Sequence, residues 1–364
     1  MHNVRDLLWL SSVPRIGAHK LRALINHFGN PSDVLAAKAR ELIRVEGISR
    51  RLASAITHHD GDDFADDQLR RLNRSGASIV SIWDRDYPEL LKKIYDPPAF
   101  LYVRGRLQKD DRQAIGLVGT RHPSPYGLRV AESLTRELAE LGVVVVSGLA
   151  RGIDTIVHAA ALRSRGRTIA VIGSGLDVIY PPENRPLFQQ IAEAGAVISE
   201  FPMGAKPDAP NFPKRNRIIS GMSLGSVVIE SAEDGGAMIT ASTALDQNRE
   251  VFAVPGQIGD RRSNGPNVLI RDGRAKLILG VSDILAELGG QLKLANTSPP
   301  PSQQTISLTL FEETIFSCLS TEPIHIDALA ERCGTSTSDA LVCLLTLEFK
   351  GLVRQLPGKY FLKT

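Results

Sequence analysis

One device recurs along the middle of this chain and limits its fold more than any other feature: a short apolar run, then glycines beside a small hydroxyl or a cation, then a helix-forming segment. Between Ile115 and Gly256 it reads AIGLVG before Thr120 and Arg121, VVVVSG before LARGID, TIAVIG before SGLD, AVISE before FPMG, SVVIE before SAEDGGAMIT, and finally VFAVPG. Apolar runs of this length, returning roughly every 25 to 30 residues with helical stretches between them, predict parallel strands joined by crossover helices. Each strand-to-helix turn aims backbone N–H groups and the positive end of a helix dipole at one spot, which suits an anion. In a parallel sheet all such turns line the carboxyl edge of the strands. Together they make a crest rather than a single pocket, and a crest suits a ligand with several phosphates.

The chain has 364 residues, 43% hydrophobic and 23% charged, the balance of a soluble globular protein of two or three domains. No apolar run reaches membrane-spanning length, and the opening MHNVRDLLWL lacks a basic segment leading to a long apolar core and a cleavage site. A cytoplasmic protein with no membrane partner is expected. Residues 1–75 read as a small helical domain of SAM or helix-hairpin-helix type, with a turn (PRIG, EGIS) before each of two basic helices. Each turn has one of the two glycines that a backbone nest for a DNA phosphate would use, so a purely structural module is expected there. Residues 76–290 carry the α/β pattern, an extended Rossmann-like, doubly wound parallel sheet. A Pro-rich linker spans 291–305, and 306–364 reads as a winged helix, three short helices and a hairpin.

Several chemistries fail on the residues. The first turn, Gly116, Gly119 and Arg121, is not G-x-G-x-x-G, and the second strand ends in Ser147 and Gly148 rather than an acid for a ribose, so no dinucleotide cofactor is expected. No glycine-rich loop ends in Gly-Lys followed by Ser or Thr, which removes a Walker-type nucleotide site. A nucleotide hydrolase of the lysine-decarboxylase-like group is the enzyme alternative, but Ser242 stands where its catalytic Glu would be. The acidic run HHDGDDFADD lacks the alternation of a calcium loop and reads as a solvated helix start. Cys318, Cys333 and Cys343 have no metal-ligand spacing and read as buried reduced thiols. Asp154, a natural helix N-cap, and His158 lie one helical turn apart and read as a structural pair. No catalytic residue, metal site or cofactor is expected.

The net charge is only +3, so a basic surface must be local. The most cationic stretch of the α/β region is 205–220, where Lys206, Lys214, Arg215 and Arg217 face a single Asp208. Phe212 lies between prolines and cations at the start of the next helix, and an aromatic ring beside Lys and Arg suits single-stranded nucleic acid. Lys214 and Arg217 are both expected at the exposed start of that helix. The tail differs: from 306 to 364 it has five Lys or Arg against seven Asp or Glu, and its presumed recognition helix has no arginine for a base edge. A protein-contact or oligomer role is expected of it.

The motifs VGTR, SGLARGID, IAVIGSGLDVIYPPEN, ISEFP, NFPKRNRIIS, ITASTAL and REVFAVPGQIG occur in this order over about 180 residues. In these the chain closely resembles the DNA-processing protein A (DprA, Smf) family. The resemblance implies a non-enzymatic recombination mediator that binds single-stranded DNA on an extended Rossmann domain, protects incoming DNA, forms homodimers through that domain and loads the RecA recombinase during natural transformation. It carries DNA contacts to Arg121, Lys214, Arg215 and Arg217, with Gly119, Phe212, Asn216, Gly235 and Gly236 beside them. Two departures stand out: Gly235 replaces a Ser of the family's usual S-G-x-x-I-T-A, and Arg274 is added in IRDGRAKLI.

Overall fold

A computed structural model describes residues 3–292, 308–320, 322–350 and 352–363. The chain divides between 295 and 296 into two compact units. The expected linker therefore lies, from 293 onward, outside the described residues.

Six helices open the first unit: α1 (Val4–Ser12), α2 (Ala18–Phe28), α3 (Pro31–Ala36), α4 (Ala39–Leu42), α5 (Arg50–His58) and α6 (Asp62–Ser75). Their starts are written locally, since Asn3, Asn30 and Ser49 each accept a first-turn N–H through the side chain. The acidic run begins α6, with Asp62 and Asp63 in its first turn, and Arg5 bridges to Asp62 and Asp66, both at 2.8 Å.

The next strands, β1 (Ala77–Ser81) and β2 (Phe100–Gly105), flank a short helix α7 (Glu89–Lys92) and pair antiparallel. The winding region follows as β3 (Ala114–Val118), α8 (Pro125–Glu140), β4 (Val144–Ser147), α9 (Ile153–Arg163), β5 (Thr168–Val171), α10 (Arg185–Ala194) and β6 (Ala196–Ser199). It continues as α11 (Asn211–Met222), β7 (Gly225–Val228), α12 (Gly236–Asp246), β8 (Glu250–Ala253), α13 (Arg261–Arg271), β9 (Lys276–Leu277) and α14 (Val281–Leu288). The nine strands lie in the order β1-β2-β6-β5-β4-β3-β7-β8-β9, parallel from β6 to β9, with β2 antiparallel to β6. The chain winds from β3 out to β6, and α11 brings it back to the other side of β3. The winding thus reverses between β3 and β7, where open α/β sheets bind ligands.

Every residue of β3 to β7 is buried, as expected of strands covered on both faces. One core lies on each face, around Val146, Ile198 and Ile219 and around Ile115, Val145 and Val157. A third joins the opening helices to the β2–β6–β5 end without a break, from Leu8 and Leu24 to Ile172 and Phe188. Gln68 ties that seam: its Oε1 accepts from Met203 N (2.8 Å) and Tyr102 Oη (3.1 Å), and its Nε2 donates to Met203 O (3.2 Å).

The second unit has helices α15 (Leu310–Cys318), α16 (Ile326–Cys333) and α17 (Thr337–Phe349), with a small sheet in the order β10-β12-β11 (β10 Ile324–His325, β11 Val353–Leu356, β12 Tyr360–Lys363). This is the winged-helix form expected. Of its thiols only Cys343 is fully buried, whereas Cys318 and Cys333 are half-buried, a correction to the expected core of three. Burial and the neighbouring Cys318 push the Cys333 thiol up to about 12.

Candidate nucleic-acid interface

The crest is built by helix starts that the chain leaves uncapped. Helices α9, α11 and α12 begin at Gly152, Pro210 and Gly235, and none has a side-chain cap. On the same edge α8 is closed: Ser124 Oγ accepts from Gly127 N, and Glu230 accepts from Ser124 N (2.9 Å) and Oγ (2.5 Å). These starts converge where the winding reverses, around a cavity of about 300 Å³, with the first N–H of α9 donated to Thr120 O (3.2 Å) and that of α11 to Asp208 O (2.9 Å). Its wall brings together seven of the nine residues singled out in the sequence: Gly119, Arg121, Phe212, Arg215, Asn216, Gly235 and Gly236. Uncapped helix starts and glycine turns around a cavity of this size form a cradle for phosphate.

Two of the glycines are required by close approach. A Cβ on Gly119 would stand 2.5 Å from Ile153, and one on Gly148 would stand 1.5 Å from the Arg215 guanidinium. The β4–α9 turn can therefore lie directly over Arg215 only because it has no side chain there. Asn216 holds the far side, its Nδ2 donating to Gly236 O at 3.4 Å.

Across the mouth runs a line of rings and guanidiniums. Arg121 stands over Phe212 at 5.4 Å, Phe212 faces Tyr180 at 6.2 Å with the planes at 48°, and Arg151 stands over Tyr180 at 5.9 Å. Arg151 is held in place by Glu183 at 2.5 Å. Arg121, Arg151 and Tyr180 are exposed and Phe212 is half-buried, so the line borders solvent, where planar groups stack on guanidiniums and rings. Sequence reading missed Tyr180 and Arg151. The signal was there, an aromatic before two prolines in IYPPEN and an Arg in LARGID, but the pairing across loops is not written locally.

Behind this line Arg215 is buried, which lowers its pKa to about 10 by desolvation, partly offset by Asp154. Its Nε has no hydrogen-bond partner among the described residues, and it lines the cavity from beneath. Asp154 is not the N-cap of α9, since Gly152 holds that place; its Oδ2 accepts from Gly148 N (3.1 Å) and Ala150 N (3.3 Å). Nor does it pair with His158, whose Nδ1 meets Thr168 Oγ1 at 2.7 Å. Burial and the charge of Arg215 lower His158 to about 3, so its ring is neutral near pH 7. The expected Asp154–His158 pair is replaced by two groups that separately brace the turn and the strand.

The two cations expected at an exposed helix start part company. Lys214 is exposed, whereas Arg217 turns inward and donates to both oxygens of Glu200 at 2.5 and 2.6 Å, with Asp96 at 4.0 Å. Asp96 also meets Arg22 of α2 at 3.7 Å. The physical reason is position along α11: Arg217 lies about one turn beyond Lys214, where Glu200, the residue after β6, and Asp96 come within reach. Among the described residues no cluster of His, Cys, Asp or Glu is arranged to hold a metal.

Comparison with known proteins follows the same outline. Residues 78–289 match the family model of the DNA recombination-mediator protein A, and 299–359 match that of the DprA winged helix domain. The chain is similar to Protein Smf of Synechocystis sp., 35% identical over 398 residues that cover 98% of each chain. Its fold is similar to DNA processing protein A of Streptococcus pneumoniae, with 34% identity and a TM-score of 0.68 over 79% of this chain and 99% of that one. It is also similar to a Helicobacter pylori DNA processing protein A described for its single-stranded DNA binding mode, with 29% identity and a TM-score of 0.53 over 59% of this chain and 96% of that one.

Proposed function

The chain belongs to the DNA recombination-mediator protein A family, and from that membership we propose that it binds single-stranded DNA along the crest and delivers it to a recombinase. The observation that carries the reading is the line Arg121–Phe212–Tyr180–Arg151 above a cavity walled by uncapped helix starts and the buried Arg215. Rings offer stacking faces that every base can use, while Arg121 and Lys214 neutralise phosphates. Arg215 supplies a fixed positive potential from beneath, stronger for being desolvated.

The site contributes binding and no reaction. Glu230 is committed to Ser124, and Ser242 is exposed where a hydrolase would hold its acid. The further parts of the reading rest on the family resemblance: a homodimer through the Rossmann-like domain, transfer of DNA to RecA, protection of incoming DNA during natural transformation, and action in the cytoplasm. The domain limits 1–75, 76–290, 291–305 and 306–364 belong to the same proposal.

The test separates stacking from charge. Phe212→Ala removes about 1–3 kcal/mol of stacking and leaves the dependence of log affinity on log salt unchanged. Arg121→Ala flattens that slope by about 0.7. Titration of a labelled oligothymidine at several salt concentrations measures both, and a wild-type slope near zero would overturn the reading.

A further inference from the structure

The two turns, each with one of the two glycines of a phosphate nest and expected from the sequence to be purely structural, prove to be the same structure built twice. In the first, Arg15 takes a left-handed backbone (φ 71°), Ile16 is buried, and Gly17 is the extended N-cap of α2. In the second, Gly47 is left-handed (φ 80°), Ile48 is buried, and Ser49 is the extended N-cap of α5. The glycine missing from PRIG is thus replaced by an arginine in the conformation that glycine favours, a strained place for a side chain. A cation is kept at a position where the backbone would prefer none. Pro14, Arg15 and Lys20 of the first turn and Ser49 and Arg51 of the second line one open cleft of about 430 Å³.

Charge around that cleft is sorted. Residues 13–59 contain eight Lys or Arg against three Asp or Glu, while residues 60–75 contain five acids against three cations. Of the α6 acids, Asp62, Asp66 and Asp67 are engaged by Arg5, Arg70 and Arg71. Of the eight cations only Arg22 forms an ion pair among the described residues. Arg15 and Arg51 are exposed, and Lys20 Nζ donates to Arg15 O at 3.2 Å, which holds two positive charges at one turn. Unpaired like charges gathered on one face favour a polyanion that joins them.

The form of that polyanion follows from what the cleft lacks. Residues 13–59 contain no Trp or Tyr, and their one Phe, Phe28, packs against the core. The face offers charge without a stacking surface, the reverse of the crest. Phosphate contacts without base contacts suit a duplex, whose bases are already stacked and covered. We propose that this twin-turn face is a second nucleic-acid site that grips the backbone of double-stranded DNA without regard to sequence, so that the protein can hold the duplex that borders a single strand.

The experiment uses the full chain with three probes: a 20-base-pair duplex, the same top strand alone, and a junction joining both. The variant Arg15→Gly, Lys20→Gln, Arg51→Gln keeps the turn, since glycine relieves the left-handed strain; a melting curve verifies the fold. Its duplex affinity should fall at least tenfold and its salt slope flatten by about 0.9 for each contact removed. Affinity for the single strand should stay within twofold, and the wild-type preference for the junction over the single strand should vanish. Unchanged duplex binding in the variant, or no duplex binding by the wild type, would overturn the proposal. Displacement of the duplex by polyglutamate as readily as by unlabelled DNA would overturn it as well, pointing to an acidic protein partner. Phe212→Ala and Arg121→Ala bear on single-strand binding alone, so failure of the crest reading is scored separately.

Discussion

At the scale of the residue, burial decides what a charged side chain can do. Arg215 and Arg217 are two residues apart in a basic run, yet one lies beneath the crest and the other in an ion pair with Glu200. His158 shows the same control over protonation. Its pKa in the fold, about 3, lies below the roughly 6.5 of an unfolded chain. Between those values the unfolded state binds the extra proton, so stability is full above about pH 6.5 and falls as the pH drops, by up to about 1.4 kcal/mol per unit. His158→Gln should flatten this acid limb of the stability–pH curve. Urea unfolding of both proteins between pH 4 and 7 measures it, and parallel curves would show that His158 does not set the slope.

At the scale of the element, α11 carries opposite tasks on adjacent faces. Lys214 faces solvent, and Arg217 faces Glu200 and Asp96, whose second partner Arg22 belongs to α2. Burial pushes Glu200 above the usual carboxylate range in spite of Arg217. Lys214→Gln should therefore leave the melting temperature unchanged and flatten the single-strand salt slope by about 0.7. Arg217→Gln strands a part-buried carboxylate and should cost about 3 kcal/mol of stability. Thermal melts beside DNA titrations separate the two. Equal stability losses would mean that the Arg217–Glu200 pair does not anchor the helix.

At the scale of the whole molecule, each crest loop precedes the end of α14, and Leu288 and Leu292 still close the core of the first unit. A chain ending after Leu292 should fold, melt cooperatively and keep single-strand affinity within about twofold. A folded truncation that no longer binds would assign the acidic winged helix a direct part in DNA binding.

The sequence alone carried the parallel sheet and its glycine-rich carboxyl edge, because apolar runs of strand length and glycines at their ends are local signals whose period fixes the layer they enter. It also singled out Arg121 and Phe212, which the fold brings together at 5.4 Å. It did not reveal that Tyr180 and Arg151 extend that line, that Arg217 is spent on Glu200, or that Asp154 braces Gly148 and Ala150 rather than His158. Nor did it show Arg15 in a glycine's conformation. Each of these depends on which loops meet across strands distant in sequence, or on which side of a helix meets the sheet. Strand order and helix phase, set by the packing of the whole core, decided them.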